Sequence, residues 1–281
     1  MGEIIIDKVI NNNIISAFEE SGTEVVVMGR GIGFKKKPGQ TVPSEQVEKI
    51  FRMKSKTLAE QLKELLADMP LERVEISAEI IAYAKDQLKL KLNQSIYVTL
   101  TDHINFAIER VSQGIEPENA LLWEIKRFYS HEFQLGTYAL QLIYERLGIR
   151  LPEDEAGFIA LHFVNAEYGT DIHDALKFPN QMNDIVRIVE QELGLELDES
   201  SLHYERFVTH VKFLLQRIYR KELLSSEDKE LAQMMQRKYP KEYNCSEKVA
   251  AYIKEATGCT LSDEEVMYLS VHIRRVTAVE K

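Results

Sequence analysis

Cysteine is nearly missing from this chain: Cys245 and Cys259 are the only two in 281 residues. They lie far apart with no Cys-x-x-Cys pairing, which excludes a disulfide-stapled scaffold and leads us to expect a reducing, cytoplasmic location. Long apolar runs are missing too. No stretch approaches the roughly 18 residues that a membrane span requires, and the N-terminal region reads Glu3-Ile-Ile-Ile-Asp7 in place of a basic segment followed by an apolar one. His-Glu-x-x-His and closely spaced Cys/His clusters are absent, as is any spacing that supports a Ser-His-Asp or Cys-His arrangement. The expectation is therefore no metal site, no cofactor and no enzyme.

Positive charge is also in deficit, with 35 Lys and Arg against 45 Asp and Glu and a net charge of −10. That balance argues against a chain that coats nucleic acid along its length. The deficit is uneven, because residues 1–57 carry nine basic and seven acidic residues. Any nucleic-acid surface is expected at that end. With 44% hydrophobic and 28% charged content, the chain is long enough for two or more globular domains.

Four short β-branched or aromatic runs open the sequence: Ile4-Ile5-Ile6, Ile14 to Phe18, Val25 to Met28 and Ile50 to Met53. Turn chemistry at Asn11-Asn12-Asn13, Glu20-Ser21-Gly22, Gly29-Arg30-Gly31 and Pro38-Gly39 separates them, so a small antiparallel sheet is predicted. A unit of fewer than about 60 residues buries too small a share of its surface to be comfortable alone, and pairing with a second copy is expected.

From Thr57 onward the hydrophobic period becomes helical. Ile76, Ile80, Ile81, Ala84 and Leu88 mark one helix that opens near Pro70 and ends among Lys89 and Lys91. Further stripes cover Ile104 to Val111, Leu121 to Phe128, Leu135 to Leu147 and Ala156 to Val164. Trp123 is most economically a core or interface residue.

This helical part is duplicated. Leu100-Thr-Asp-His103-Ile-Asn-Phe106 answers Phe207-Val-Thr-His210-Val-Lys-Phe213, and Leu151-Pro-Glu-Asp-Glu155…His162 answers Leu261-Ser-Asp-Glu-Glu265…His272. Between Ile125 and Leu151, and between Met235 and Leu261, the copies align without a gap. The period is too long for a solenoid, so tandem domains are expected, joined at Gly169 to Pro179. The fold class is thus multidomain: a small antiparallel β domain over 1–57, then two all-α helical-bundle domains over 67–171 and 172–281.

Each repeat carries two histidines in matching frames, and histidine is the side chain most readily switched near neutral pH. Asp102 precedes His103 and offers a carboxylate, yet adjacent helical residues do not face each other. Thr209 takes that place before His210, a difference that leaves the two domains free to use different donors. Glu155 and Glu265 each stand seven residues before a histidine, on roughly the same helical face. They read as acids of a helix N-terminus, where negative charge is favoured. His131, His173 and His203 have no counterpart in the other repeat and read as incidental. At the N-terminal end, Gly29-Arg30-Gly31-Ile-Gly33-Phe34 followed by three lysines combines a permissive backbone, four cations and an aromatic ring able to stack an unpaired base. The plain alternative is hairpin glycines, left-handed asparagines and a solvated lysine loop.

Taken together, Lys8-Val-Ile-Asn-Asn-Asn13, Val27-Met-Gly-Arg-Gly31, Phe34-Lys-Lys-Lys37, Ser95 to Phe106, Leu151 to His162 and His203 to His210 resemble the BglG/SacY/LicT family of bacterial transcriptional antiterminators, the β-glucoside-operon members most of all. The resemblance covers essentially the whole chain. It implies a coantiterminator (CAT) RNA-binding domain followed by two phosphotransferase-system regulation domains, working as a homodimer on a leader mRNA hairpin. It further implies RNA contacts at Asn11, Asn13, Gly29, Arg30 and Phe34, and phosphorylation at His103, His162, His210 and His272. The implied donors are the sugar-specific enzyme II permease for the first regulation domain, with a silencing effect, and HPr for the second, with an activating one. A DNA-binding activator with the same regulation domains is the alternative; it calls for an opening helix-turn-helix, where this chain opens with strands.

Overall fold

A computed structural model describes residues 4–19, 21–53, 55–87, 92–115, 117–168, 177–224 and 229–278. The N-terminal segment is a five-stranded antiparallel sheet of order β4-β1-β2-β3-β5, with β1 at Ile4–Asn11, β2 at Ile14–Phe18, β3 at Glu24–Met28, β4 at Thr41–Val42 and β5 at Lys49–Phe51. The predicted runs are all present. The two-residue β4 was not foreseen, because two residues carry no readable alternation. Side chains alternate across the sheet as the period of two requires. Ile15, Ala17, Val25 and Val27 join Ile4, Ile6, Ile32 and Val42 in one core, while Ile14, Val26, Met28 and Phe51 face the other way.

That second face explains residues 58–66, which fall between the expected domains. They belong to α1 (Lys56–Ala67), whose Leu62 and Leu66 are buried against Ile14, Val26, Met28 and Phe51. The burial that a lone small sheet lacks is thus partly supplied in cis. Lys63 of α1 also donates to Glu24 of β3 at 2.8 Å.

The helical part has the predicted duplication. Helices α2 (Leu71–Gln87), α3 (Ile96–Ser112), α4 (Leu122–Phe128), α5 (Ser130–Leu147) and α6 (Glu153–Tyr168) are followed by α7 (Phe178–Leu193), α8 (Leu202–Arg220), α9 (Lys229–Lys238), α10 (Pro240–Thr257) and α11 (Asp263–Val276). The predicted end of α2 at residues 88–91 lies outside the described residues, as do residues 169–176 of the expected joint with their His173. Pro179, placed in that joint by the sequence reading, instead sits in the first turn of α7, the position where its missing N–H costs nothing.

In the first repeat Ile96, Leu100, Ile104 and Ile108 of α3 bury a stripe among Ile80, Ala84, Leu135, Ala139, Ile159 and Phe163. Spacings of four keep these residues on one face, which turns His103 toward α6. Two compact units result: residues 1–119 with 131–169, and residues 120–130 with 170–281. Helix α4 packs with α7, within the second unit. Trp123 on α4 is 58% exposed and stacks on the Arg127 guanidinium, 5.0 Å from its ring, so it is not a core residue. A single large aromatic in an apolar stripe gives no sign of which way it points.

Candidate functional site: a turn platform and two histidine pairs

At the end of the sheet, the β1–β2 turn and the loop after β3 are welded into one surface. Gly29 N–H donates to the Asn13 carbonyl at 3.0 Å, Gly33 N–H to the Asn12 carbonyl at 3.0 Å, and Gly31 N–H to Asn13 Oδ1 at 2.9 Å. Two glycines are required by this closeness. A Cβ on Gly29 would stand 1.9 Å from the Gln46 carbonyl oxygen, and one on Gly33 2.3 Å from that of Asn11. No other residue fits such contacts without moving backbone.

The sequence-designated residues divide by what their side chains do. Asn11 Oδ1 accepts from Asn13 N–H at 2.8 Å, and its Nδ2 donates to the carbonyls of Leu66 and Ala67 at 2.9 and 3.1 Å. Asn11 therefore caps the C-terminal end of α1, satisfying carbonyls that a helix leaves open. Asn13 Oδ1 is likewise engaged on Gly31. Arg30 and Phe34 point outward: the Arg30 side chain is 75% exposed and reaches Glu75 only at 3.4 Å, and Phe34 is 57% exposed with the Lys35 ammonium 5.3 Å from its ring centre. Cations and an aromatic thus project from a braced base.

The four duplicated histidines form two pairs. His103 on α3 and His162 on α6 have ring centres 4.8 Å apart; His210 on α8 and His272 on α11 are 4.1 Å apart and nearly parallel, at 16°. Each repeat also holds a fully buried carboxylate that the sequence reading assigned to helix termini. Glu155 Oε2 accepts from His103 Nε2 at 3.1 Å, and its other oxygen meets Arg110. Burial pushes this carboxyl up, but the bonds from His103 and Arg110 outweigh it and hold it below the usual carboxylate range. In the second repeat Glu265 receives Nε and Nη2 of Arg217, both at 2.7 Å, and the Leu224 N–H at 3.1 Å.

The readable signal was present. Arg110 and Arg217 each follow the first histidine of their repeat by seven residues, just as Glu155 and Glu265 precede the second by seven. The helix-terminus interpretation holds for Glu155 and Glu265 as for the neighbouring acids of α6 and α11, but these two also enter buried ion pairs that it did not foresee. Asp102, adjacent to His103, is exposed, and the acid that meets the ring comes from α6.

Burial acts on three of these rings, His162, His210 and His272. His162 is 6% exposed, and desolvation, with His103 nearby, depresses its pKa to about 3. Burial, then His272 and Arg217, bring His210 to about 3 as well; His272 is lowered chiefly by burial. These rings are neutral at physiological pH and keep a lone pair, the form that can attack phosphorus. His162 Nδ1 and His210 Nε2 are buried without a hydrogen-bond partner among the described residues.

A braced cationic and aromatic platform, followed by two copies of a histidine pair, defines an RNA-binding regulator. The sequence matches the CAT RNA binding domain over residues 4–60 and the PRD domain twice, over 78–166 and 183–276. It is 48% identical over 271 residues to the transcription antiterminator LicT of Bacillus subtilis (strain 168), spanning 96% of this chain and 98% of that protein. To the beta-glucoside operon antiterminator of Dickeya chrysanthemi it is 45% identical, spanning 96% of each. Among solved structures, the GlcT CAT-PRDI crystal structure superposes with a TM-score of 0.53 at 37% identity, over 59% of this chain and 99% of that one. The chain belongs to the BglG/SacY/LicT family of RNA-binding transcriptional antiterminators.

Proposed function

We propose that this protein binds a hairpin in the leader of a nascent messenger RNA as a homodimer and prevents the overlapping terminator from forming. Transcription of a sugar-utilisation operon then continues, and the 45% identical β-glucoside relative makes that sugar class the first to test. The observation that carries this reading is the pairing of one outward-facing Arg30/Phe34 platform with two histidine pairs, each backed by a buried Glu–Arg couple. In support of a second copy, Ile5 and Phe18 are cross-strand partners that leave 45% and 40% of their surfaces exposed on the sheet.

Control comes from phosphorylation of His103, His162, His210 and His272. The sugar-specific permease acts on the first regulation domain to silence the protein, and HPr acts on the second to activate it. A phosphoryl group brings about −1.5 to −2 charge. Beside a buried Glu155 or Glu265 that charge repels, and beside Arg110 or Arg217 it attracts, so either event redistributes the local ion pairs. Swinging a two-state equilibrium from 1:99 to 99:1 takes about 5.5 kcal/mol, within reach when several sites act in both subunits.

Binding to the leader hairpin, compared with duplex DNA of the same sequence, tests the reading; a preference for DNA would favour the activator alternative and discard ours. In a reporter strain His103→Asp should lower antitermination, and His210→Asp or His272→Asp should raise it when HPr is absent. Unchanged output in all three variants would remove phosphorylation control.

A further inference from the structure

The two repeats use their buried carboxylates differently. Glu265 spends both oxygens on the Arg217 fork and the Leu224 N–H. Glu155 divides its oxygens, one to Arg110 and one to His103 Nε2 at 3.1 Å. Glu155 is 0% exposed and bound by the Arg110 guanidinium on its other oxygen, so it is a carboxylate and the acceptor in this bond, and the histidine nitrogen carries the proton. The ring of His103 is thereby fixed at two levels, in orientation and in tautomer. In the neutral ring the remaining nitrogen, Nδ1, holds the lone pair, and 15% of the side chain stays open to solvent.

Resting on the phosphorylation reading above, we propose that Glu155 is a positioning residue that makes His103 a phosphoryl acceptor at Nδ1. The donor is a protein-borne phosphoramidate or thiophosphate ester. The Nδ1 lone pair forms the new P–N bond while the donor's P–N or P–S bond breaks, and the donor leaves with that electron pair. No proton has to depart from His103: the Nε2 proton stays on the ring, hydrogen-bonded to Glu155, and the positive charge gained by the ring is balanced by the carboxylate. Arg110, on the other oxygen of Glu155 and 5.1 Å from the Phe106 ring, lies beside the exposed aromatic one turn beyond His103.

The test uses the full-length protein labelled with ring-15N histidine, its His103 signals assigned by their loss in His103→Gln. Before any phosphorylation, His103 should show a protonated Nε2 and a bare Nδ1. After treatment with phosphoramidate, and separately with phosphorylated permease, phosphorus–proton correlation should place phosphorus on Nδ1. Glu155→Gln, which keeps the shape and offers the ring either a carbonyl or an amide, should give mixed tautomers and a mixture of both phosphohistidine isomers. Glu265→Gln should leave His103 as in the wild type. A bare Nε2 in the resting protein, or phosphorus on Nε2 of the wild type, overturns the assignment to Glu155. A correct tautomer in a protein whose His103 takes phosphorus from neither donor instead overturns the regulatory reading beneath it.

Discussion

Arg217 meets both carboxylate oxygens of Glu265, with Nε on one and Nη2 on the other, each at 2.7 Å. Glu265 is wholly buried, and removing one partner of such a pair leaves an uncompensated charge in the interior. Arg217→Met should therefore cost about 3 kcal/mol or more. Arg110→Met should cost less, because Glu155 keeps its bond from His103. Thermal melts of the full chain, with hydrogen exchange to locate the loss in one unit or the other, check both the size and the order. Equal losses would mean that the His103 bond adds nothing.

Acid should weaken the first unit through His162. Its folded pKa, about 3, lies below the ordinary 6.5, so the unfolded chain binds the proton more readily. The stability due to the neutral buried ring is complete above pH 6.5 and is lost as the pH falls from there toward 3. Each pH unit in that window removes about 1.4 kcal/mol, or roughly 2 kcal/mol between pH 6.5 and 5. Denaturation followed against pH should show this slope, flattened in His162→Gln.

The Asn11 and Phe34 substitutions should part stability from RNA binding. Asn11→Ala unties two helix carbonyls and should lower stability by about 1–2 kcal/mol, with hairpin binding lost as the turn loosens. Phe34→Ala should leave the melting temperature unchanged while weakening hairpin binding by about 1–3 kcal/mol, the worth of one base stacked on an aromatic ring. Calorimetric melts and filter-binding titrations separate the two effects.

Glu75→Ala should strengthen hairpin binding slightly. Its carboxylate stands 3.4 Å from Arg30, a surface contact worth up to about 1 kcal/mol, hence at most about a fivefold gain. The gain should shrink as salt is raised, since counterion release governs such contacts. A titration of affinity against salt in both proteins reads it directly.

The strands other than β4, the helical repeat and the four histidines were legible because each has a local signature: alternation, 3.6-residue spacing, or recurrence in a matching frame. Three features were not. The sheet-covering role of α1 depends on which face of Leu62 and Leu66 meets Ile14 and Phe51, a long-range matter that periodicity does not address. Glu155 and Glu265 carry a helix-terminus signature and a buried ion-pair role at once, and only packing separates the two. Asn11 offers the same amide to a base or to a backbone carbonyl, and the end of α1 reaches it first.

The Asn11 amide also acts as a tether. It fastens the strand end leading into the RNA-candidate turn to the last carbonyls of α1, and only residues 68–70, with Met69 buried, separate that helix from α2. Little slack remains along this route. Tilting or unwinding the tail of α1 by no more than the length of a hydrogen bond would break this tether and release the turn between β1 and β2.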